Sequence, residues 1–321
     1  MDRIAFIVNG TFVYWNSIVL TLAAGVAICA FLACYLPQGE GSAAAVAVPT
    51  ALVLSVILAR LVHWYFRPDS YRGFLAAMTD FTSGGYALLG VFLACGLTVL
   101  LLRLLRLETN SARLLDGMCL GGCAGIAVGR LACFFSTADR GQILEHIHSL
   151  PFAYPVNNVV TGAPEYRLAT FVIQSMVTAV IFVVLLAFFL LCKKRKAGDV
   201  TLLFALLYGM SQAVLDSTRY DSLFMRSNGF ISVVQLSGAA AVLGVSIWTA
   251  VRLVGARGFR LWYPAIWVGM LALLGGAGYM EYFVQRHGDR ALFSYSIMTA
   301  CLSGIVALTL ISGFLARRAE E

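Results

Sequence analysis

The sequence predicts an all-α polytopic integral membrane protein. Of the 321 residues, 60% are hydrophobic and only 12% are charged, and the mean hydropathy is +0.85. These values exclude an ordinary soluble domain. Nine stretches of the chain are also apolar over about the 20 residues that a helix needs to cross the hydrocarbon core of a bilayer.

The nine predicted transmembrane helices cover residues 11–36, 45–66, 85–105, 114–135, 168–192, 199–220, 230–251, 261–283 and 295–316. No basic run precedes the first helix and no small-residue cleavage site follows it, so we expect an uncleaved helix. The polar residues suited to chemistry all precede the last two helices. Residues 1–252 are therefore predicted to form a seven-helix functional domain, and residues 253–321 two additional helices.

Basic residues are concentrated in alternate loops and at the C-terminus, and by the positive-inside rule these regions are cytoplasmic. This places the N-terminus outside and the C-terminus inside. The net charge of +7 fits this bias and contact with anionic lipid headgroups. No nucleic-acid partner is expected, because aromatic residues are not interleaved with the basic ones. The basic residues are Arg103, Arg106, Arg113, Lys193, Lys194, Arg195, Lys196, Arg252, Arg257, Arg260, Arg317 and Arg318.

The cysteines and histidines do not indicate a metal site. The eight cysteines fall within or at the ends of predicted helices and include no C-x-x-C pair, so we interpret them as small packing residues. His146 and His148 lie in the longest external loop without a third ligand nearby. We therefore predict neither a metal nor another cofactor.

Three arginines lie near the outer ends of the second, fourth and sixth predicted helices: Arg60, Arg130 and Arg219. A charged side chain at membrane depth is costly and usually faces a wet cavity or the bundle interior. Three guanidinium groups at one level could surround a single anion. The alternative is that these side chains reach the headgroups and only anchor the helix ends.

The sixth predicted helix also carries a polar stripe. Tyr208, Gln212, Asp216 and Arg219 are spaced i, i+4, i+8 and i+11, which places them on one helical face. We expect this face to line a cavity. Mutual neutralisation of Asp216 and Arg219 is the alternative interpretation.

Several segments resemble the bacterial prolipoprotein diacylglyceryl transferases. Residues 129–136, GRLACFFS, followed by Gly141, are similar to the family signature G-R-x-G-N-F-x-N. Five further segments agree in order over about residues 12–251: ARL at 59–61 with G-A-R-L, GGYALLG at 84–90 with G-G-L-A-I-[YH]-G, LATFVIQS at 168–175 with H-P-T-F-L-Y-E-S, residues 208–223 with Y-G-x-x-R-x-x-x-E-x-x-R-x-D-S-L, and QLS at 235–237 with S-Q-x-x-S.

The resemblance implies an enzyme of lipoprotein biosynthesis at the outer face of the bacterial plasma membrane. It would move the diacylglyceryl group of phosphatidylglycerol onto the thiol of a lipobox cysteine in a prolipoprotein, forming a thioether and releasing glycerol phosphate. Arg130 and Arg219 would stabilise the phosphate that leaves, because guanidinium groups present a fixed fork of donors. The implied substrate-binding residues are Arg60, Tyr208, Gln212, Gln174, Gln235 and Tyr14.

The chain departs from the family pattern at several polar positions. Leu89 stands where the family has His or Tyr, and Gln212 replaces an arginine. Asp216 stands in place of glutamate. Other departures replace the two asparagines of the signature and the H-P and Y-E pairs: Cys133, Ser136, Leu168, Ala169, Ile173 and Gln174.

Two interpretations follow from these departures. If the chain is active, another base must activate the acceptor thiol, whose ordinary pKa of about 8.5 leaves little thiolate at neutral pH. His63, at i+3 from Arg60, is the first candidate and Asp216 the second. If activity is lost, the chain is a phospholipid-binding membrane paralogue that acts as the partner of another envelope protein. The retained arginines favour the transferase, and a transporter is a more distant possibility.

Overall fold

The structure is a computed structural model that describes residues 4–8, 10–79, 84–136, 138–144, 152–157, 162–225, 228–286 and 290–320. His146 and His148, considered above as metal ligands, lie outside the described residues.

The helices, in chain order, are α1 (Trp15–Tyr35), α2 (Gly41–Phe66), α3 (Phe74–Thr79), α4 (Leu88–Leu104), α5 (Ser111–Gly129), α6 (Thr170–Leu191), α7 (Asp199–Leu215), α8 (Val233–Arg257), α9 (Tyr263–Arg286) and α10 (Ala291–Glu320). Short 3-10 helices cover Pro68–Ser70, Arg130–Phe135 and Asp216–Thr218. The strands are β1 (Ile4–Val8), β2 (Thr11–Tyr14), β3 (Ala153–Asn157), β4 (Pro164–Leu168), β5 (Phe224–Met225) and β6 (Asn228–Ser232).

The predicted fold class is confirmed. Eight helices of the described chain are long and apolar enough to cross a membrane. The third predicted span corresponds to α4, a shorter apolar helix of 17 residues. At 1.5 Å per residue it rises about 25 Å, somewhat less than the ~30 Å hydrocarbon core. Each predicted span therefore contains one helix.

Several predicted spans begin two to four residues before their helices. Residues 11–14, 168 and 230–232 lie in β2, β4 and β6, so α1, α6 and α8 begin later than predicted. Hydropathy cannot separate an apolar strand from an apolar helix, and the β-branched and aromatic residues at 11–14 favour the strand. At the third span, Gly84 and Gly85 have φ of +68° and +82°, which delays the start of α4 to Leu88.

The end of the sixth predicted span also needs correction. The α-helix α7 ends at Leu215, and a single 3-10 turn, Asp216–Thr218, follows it. The predicted stripe of four polar residues on one helical face is therefore wrong at Arg219, which lies beyond the helix. The fourth predicted span also ends as a 3-10 helix. The α-helix α5 stops at Gly129, and Arg130 is the first residue of the 3-10 helix that follows.

The chain divides into two compact units. Unit 1 comprises Met1–Thr201 and Arg219–Ser227. In it α1 packs against α5, α2 against α4, and α5 against α6. Glycines on α5 allow the close approach of α1: a Cβ atom on Gly117 would lie 3.1 Å from the Cβ of Tyr35, and one on Gly121 would lie 2.9 Å from the Cβ of Phe31. Small residues at such contacts let membrane helices pack backbone to backbone.

Unit 2 comprises Leu202–Thr218 and Asn228–Glu321. Here α10 packs against both α8 and α9, around a core that includes Leu206, Val242 and Ile305. A Cβ atom on Gly209 would lie 2.8 Å from the carbonyl oxygen of Gly238, so α7 and α8 meet at glycines. The two C-terminal helices thus share a core with α8. The functional boundary at residue 252 stays a prediction.

Candidate functional site

In unit 1 a single carboxylate contacts two of the predicted arginines. Arg130 follows the last residue of α5, and its Nη1 pairs with Oδ2 of Asp139. Nη2 of Arg219 pairs with Oδ1 of the same residue. Only 11–12% of each of these three side chains is exposed. The two guanidinium groups are therefore held on the two oxygens of one largely buried oxyanion.

Asp139 is held ionised by its surroundings. Burial by itself raises the pKa of this carboxyl group, but the charges of Arg130 and Arg219 outweigh burial and lower the pKa from 3.8 to about 2. The backbone of Asp139 is left-handed, with φ of +57°, and its N–H donates to Oδ2 of Asp221 at 2.8 Å. Asp221 in turn accepts from Nε and Nη2 of Arg219 at 3.2 and 3.1 Å. Two positive and two negative groups thus form one network.

Arg140 fixes the loop that carries Asp139. Its Nη2 donates to the carbonyl oxygens of Cys133 and Ser136 at 2.9 and 2.6 Å, and its guanidinium carbon lies 3.9 Å from the ring centre of Tyr154. The carbonyl of Arg140 accepts from the backbone N–H of Tyr220 at 2.9 Å. The loop is thus bonded both to the 3-10 turn after α5 and to the segment that carries Arg219.

Arg60 lies in a second cluster, on α2. The residue is 2% exposed, and its Nε and Nη1 donate to the carbonyl oxygens of Ala77 and Gly85 at 2.5 and 3.2 Å. The guanidinium carbon also lies 4.6 Å from the ring centre of Tyr71 and 5.3 Å from that of Tyr86. Such burial excludes a side chain that merely extends to the headgroups. The structure joins Arg130 and Arg219 on one carboxylate and gives Arg60 these separate partners.

His63 belongs to the cluster of Arg60. Its Nδ1 lies 2.7 Å from the hydroxyl oxygen of Tyr71, and the two rings meet edge to face. Gly85 is required here, because its φ is +82° and a Cβ atom would lie 2.9 Å from Cε1 of His63. When Nδ1–H donates to the tyrosine oxygen, Nε2 keeps a lone pair that can accept a proton. The site can therefore present a histidine base of fixed orientation.

Arg67 connects the two clusters. It lies at i+4 from His63 at the end of α2, and its Nη2 donates to the carbonyl oxygens of Asp221 and Ser222 at 3.2 and 2.9 Å. Asp221 is the residue that bonds Arg219. The helix that carries the candidate base is thus tied to the segment that carries one of the two anion-binding arginines.

Four predicted site residues lie in unit 2, where Tyr208, Gln212 and Asp216 are buried. Asp216 accepts a hydrogen bond from the hydroxyl of Ser232, at the start of α8. Ser232 and Gln235 form a capping box: the Ser232 hydroxyl accepts from the Gln235 N–H at 3.0 Å, and Oε1 of Gln235 accepts from the Ser232 N–H at 2.9 Å. Both Asp216 and Gln235 therefore help to organise the start of α8.

The remaining predicted residues differ in exposure. Gln174 is fully buried on α6, next to Ser175, whose hydroxyl donates to the carbonyl oxygen of Ala127 at 2.5 Å. Tyr14 is 44% exposed at the N-cap of α1. Cys133 donates from Sγ to Oδ2 of Asp139 at 3.5 Å.

Within the described residues, His, Cys, Asp and Glu form no group of three or more that could hold a metal ion.

Sequence reasoning missed Asp139, Arg67 and Tyr71. Two of them carried a usable signal. Asp139 is the acidic residue of the loop directly after the G-R motif, and Arg67 lies at i+7 from Arg60 and hence on the same face of α2. Tyr71 lies in a loop after α2, and no periodicity marks it.

Comparison with known proteins identifies relatives over most of the chain. A family model described as prolipoprotein diacylglyceryl transferase matches residues 3–251. A phosphatidylglycerol–prolipoprotein diacylglyceryl transferase of Finegoldia magna is 27% identical over 247 residues, which cover 76% of this chain and 92% of the relative. One of Clostridium kluyveri is 27% identical over 262 residues, covering 80% and 99%. The match to the family contains both arginine clusters, whereas α9 and α10 lie beyond it.

Proposed function

Because the chain belongs to the prolipoprotein diacylglyceryl transferase family, we propose that it transfers the diacylglyceryl group of phosphatidylglycerol to the lipobox cysteine of prolipoproteins. The reaction takes place at the outer face of the bacterial plasma membrane. The observation that carries the proposal is the convergence of Arg130 and Arg219 on one carboxylate. Guanidinium groups bind carboxylate and phosphate oxygens with the same fork of donors, so a place organised for one oxyanion suits the other.

The proposed chemistry is a displacement at carbon. The sulfur of the acceptor cysteine attacks the glycerol carbon of the diacylglyceryl group that carries the phosphate ester. A C–S bond forms, the C–O bond to phosphate breaks, and its electron pair leaves with glycerol phosphate. Arg130 and Arg219 stabilise the charge that develops on the leaving phosphate. The proton of the thiol passes to a general base.

His63 is the proposed base. Tyr71 positions it by accepting a hydrogen bond from Nδ1–H, which leaves Nε2 to take the proton of the thiol. Arg60, stacked on Tyr71, belongs to the same cluster and keeps the tyrosine in place. Asp216 is the second candidate for the base. Tyr208, Gln212, Gln174, Gln235 and Tyr14 are proposed to contribute to substrate binding.

A second function is favoured by one group of substitutions. Leu89, Gln212, Cys133 and Ser136 stand where the family carries groups able to form stronger hydrogen bonds or to exchange protons. A chain that keeps the phosphate-binding arginines but lacks these groups would bind phospholipid without turnover. It would then serve as the partner of another envelope protein.

The two functions are separated by an assay of the purified protein in lipid nanodiscs. Labelled phosphatidylglycerol and a lipobox peptide are supplied, and the thioether product is detected by mass spectrometry. For a transferase, His63→Ala should lower the rate by about 10²–10⁴-fold at neutral pH, the range for loss of a general base. Lipid binding should stay intact, and raising the pH should restore part of the rate because the thiol ionises without help.

Asp69→Asn is the control variant. It replaces an exposed acidic residue of the 3-10 helix Pro68–Ser70 and should leave the transfer rate unchanged. If the wild-type protein binds phosphatidylglycerol yet makes no thioether even at elevated pH, the transferase proposal is wrong and the paralogue is favoured.

A further inference from the structure

Glu281 is a buried acidic residue of α9, a helix long and apolar enough to cross a membrane. The residue is 7% exposed and lies about 7.5 Å along the helix axis from Arg286, the last residue of α9. Ionisable residues inside membrane spans are rare, because a charge there is costly, and they mark ion, proton or substrate sites. The family match ends at residue 251, so the family assigns Glu281 no role.

Only one oxygen of this carboxylate has a partner among the described residues. Oε1 accepts a hydrogen bond from Nε2 of Gln285 at 2.9 Å, whereas Oε2 is buried and accepts none. Within the described chain no salt bridge joins Glu281 to a basic side chain. Burial of an unpaired carboxylate is unfavourable, because the charge loses water and gains no compensating partner.

Three segments of unit 2 bring polar side chains to the level of Glu281. Ser217, Glu281 and Tyr295 each lie three or four residues from a residue of the hydrophobic core, toward the end at which α7 and α9 finish and α10 begins. This spacing is about one turn, so each polar side chain lies on the core-facing side of its segment. The core residues concerned are Val214, Ala277 and Met298.

The hydroxyl group of Tyr295 connects Ser217 with Glu281. It donates to the carbonyl oxygen of Ser217 at 3.3 Å, and it lies close enough to Glu281 for the charge of the carboxylate to act on it. Oγ of Ser217 is also buried and has no hydrogen-bond partner among the described residues. Oε2 of Glu281 and Oγ of Ser217 are thus two buried oxygen atoms that can bind a ligand.

The C-terminal end of α7 adds partial negative charge to this cluster. Ser217 lies two residues beyond Leu215, the last residue of α7, in the 3-10 turn Asp216–Thr218. The carbonyl groups at the end of a helix carry about half of an elementary negative charge. Helix ends of this kind coordinate Na⁺ in membrane transporters. A carboxylate, a hydroxyl group and a helix C-terminus together favour a cation.

We propose that Glu281 and Ser217 bind one monovalent alkali cation, such as Na⁺, where α7 and α9 end and α10 begins. The donor atoms are oxygens, which hard cations prefer. One carboxylate balances a single positive charge, whereas a divalent cation would leave an excess charge buried. Because both oxygen atoms are buried, only a small ion fits between them. The cation joins the two helices beyond the family match to α7, the helix that carries Tyr208 and Gln212.

Thermal unfolding of the full chain in detergent tests this cation site. The midpoint is measured in NaCl and in choline chloride at equal ionic strength, so that screening is the same and only the small cation differs. With Na⁺ at about a hundredfold excess over its Kd, the midpoint of the wild-type protein should rise by about 4 °C. Equilibrium binding of radioactive Na⁺ should saturate at a single ion for each chain.

Glu281→Gln keeps the size of the side chain and removes its charge. It should abolish the response to Na⁺, and in choline chloride it should unfold at a higher temperature than the wild-type protein, because the unpaired charge is gone. Ser217→Ala should weaken binding of radioactive Na⁺ about tenfold, since one oxygen ligand is lost.

Glu108→Gln is the matched control. Glu108 is 6% exposed, but Oε1 accepts from the backbone N–H of Asn110 at 2.8 Å and Oε2 accepts from the hydroxyl group of Tyr35. Both of its oxygens are therefore satisfied by the protein. Glu108→Gln should keep the full response to Na⁺.

Equal midpoints of the wild-type protein in NaCl and choline chloride would overturn the inference, because water or a proton would then complete the site. An undiminished response in Glu281→Gln would also overturn it, since the ion would bind elsewhere. If Glu281→Gln does not fold, binding of radioactive Na⁺ to Ser217→Ala decides, and unchanged affinity rejects the site. The measurement needs neither phosphatidylglycerol nor thioether formation, so its outcome is independent of the proposed transferase activity.

Discussion

Replacing Asp139 with asparagine is expected to lower the free energy of unfolding by about 2.5 kcal/mol at neutral pH. The change keeps the size of the side chain and removes the charge that pairs with Arg130 and Arg219. A pKa of about 2 in the folded protein, against an ordinary 3.8, corresponds to about this free energy. For a chain of this size the midpoint of thermal unfolding should fall by about 4 °C, because the unfolding entropy is about 2.1 cal/mol/K per residue.

The lowered pKa of Asp139 also makes the stability of the protein depend on pH. The folded-state pKa of Asp139 is lowered, so its contribution is fully present above about pH 4 and is lost as the pH falls towards 2. The wild-type protein should lose about 1.8 kcal/mol of stability between pH 4 and pH 2 from this residue, and Asp139→Asn should lack that loss. The assay is thermal unfolding in detergent, followed by circular dichroism across a series of pH values.

Asp69→Asn removes an exposed carboxylate and should change the stability by no more than about 0.5 kcal/mol. The reasoning is refuted if the two variants lose the same stability at neutral pH. It is also refuted if wild-type protein and Asp139→Asn show the same decline between pH 4 and 2.

Three further predictions concern the site and the topology. Arg130→Ala should weaken binding of phosphatidylglycerol by about 1.5–3 kcal/mol, measured by lipid titration, because a charge-assisted hydrogen bond is lost; unchanged affinity in a folded variant would mean that the arginine only anchors the helix end. Tyr71→Phe should lower kcat about tenfold with KM unchanged, since it removes the hydrogen bond that orients His63; a change in KM alone would contradict a positioning role. With the N-terminus outside, an impermeant thiol reagent should label Ala163→Cys and not Ser42→Cys in intact cells, and the reverse pattern would invert the topology.

The membrane fold could be predicted from the sequence because the bilayer restricts the choice of structure. Every backbone polar group of a spanning segment must be bonded within that segment, so a stretch of about 20 apolar residues becomes a helix almost regardless of its detailed composition. The ends of the helices lie where this constraint weakens. The strand at Thr11–Tyr14 and the 3-10 turn at Asp216–Thr218 depend on local pairing and on packing, to which hydropathy is insensitive.

For the candidate site, the sequence predicted the arginines but not their partners. The identities of Arg130, Arg219 and Arg60 follow from their cost at membrane depth and from the motifs around them. Their partners do not, because Asp139 lies 80 residues before Arg219 and 82 before Asp221 in the chain and meets them only after the loops close. The sequence by itself thus determined that arginines lie near the ends of these helices, and their role in binding an anion stays a prediction. Only the tertiary structure decided that two of them share one carboxylate while Arg60 stacks on tyrosines. Pairing between distant residues depends on helix packing and loop closure, and no local pattern in the chain reports either of these.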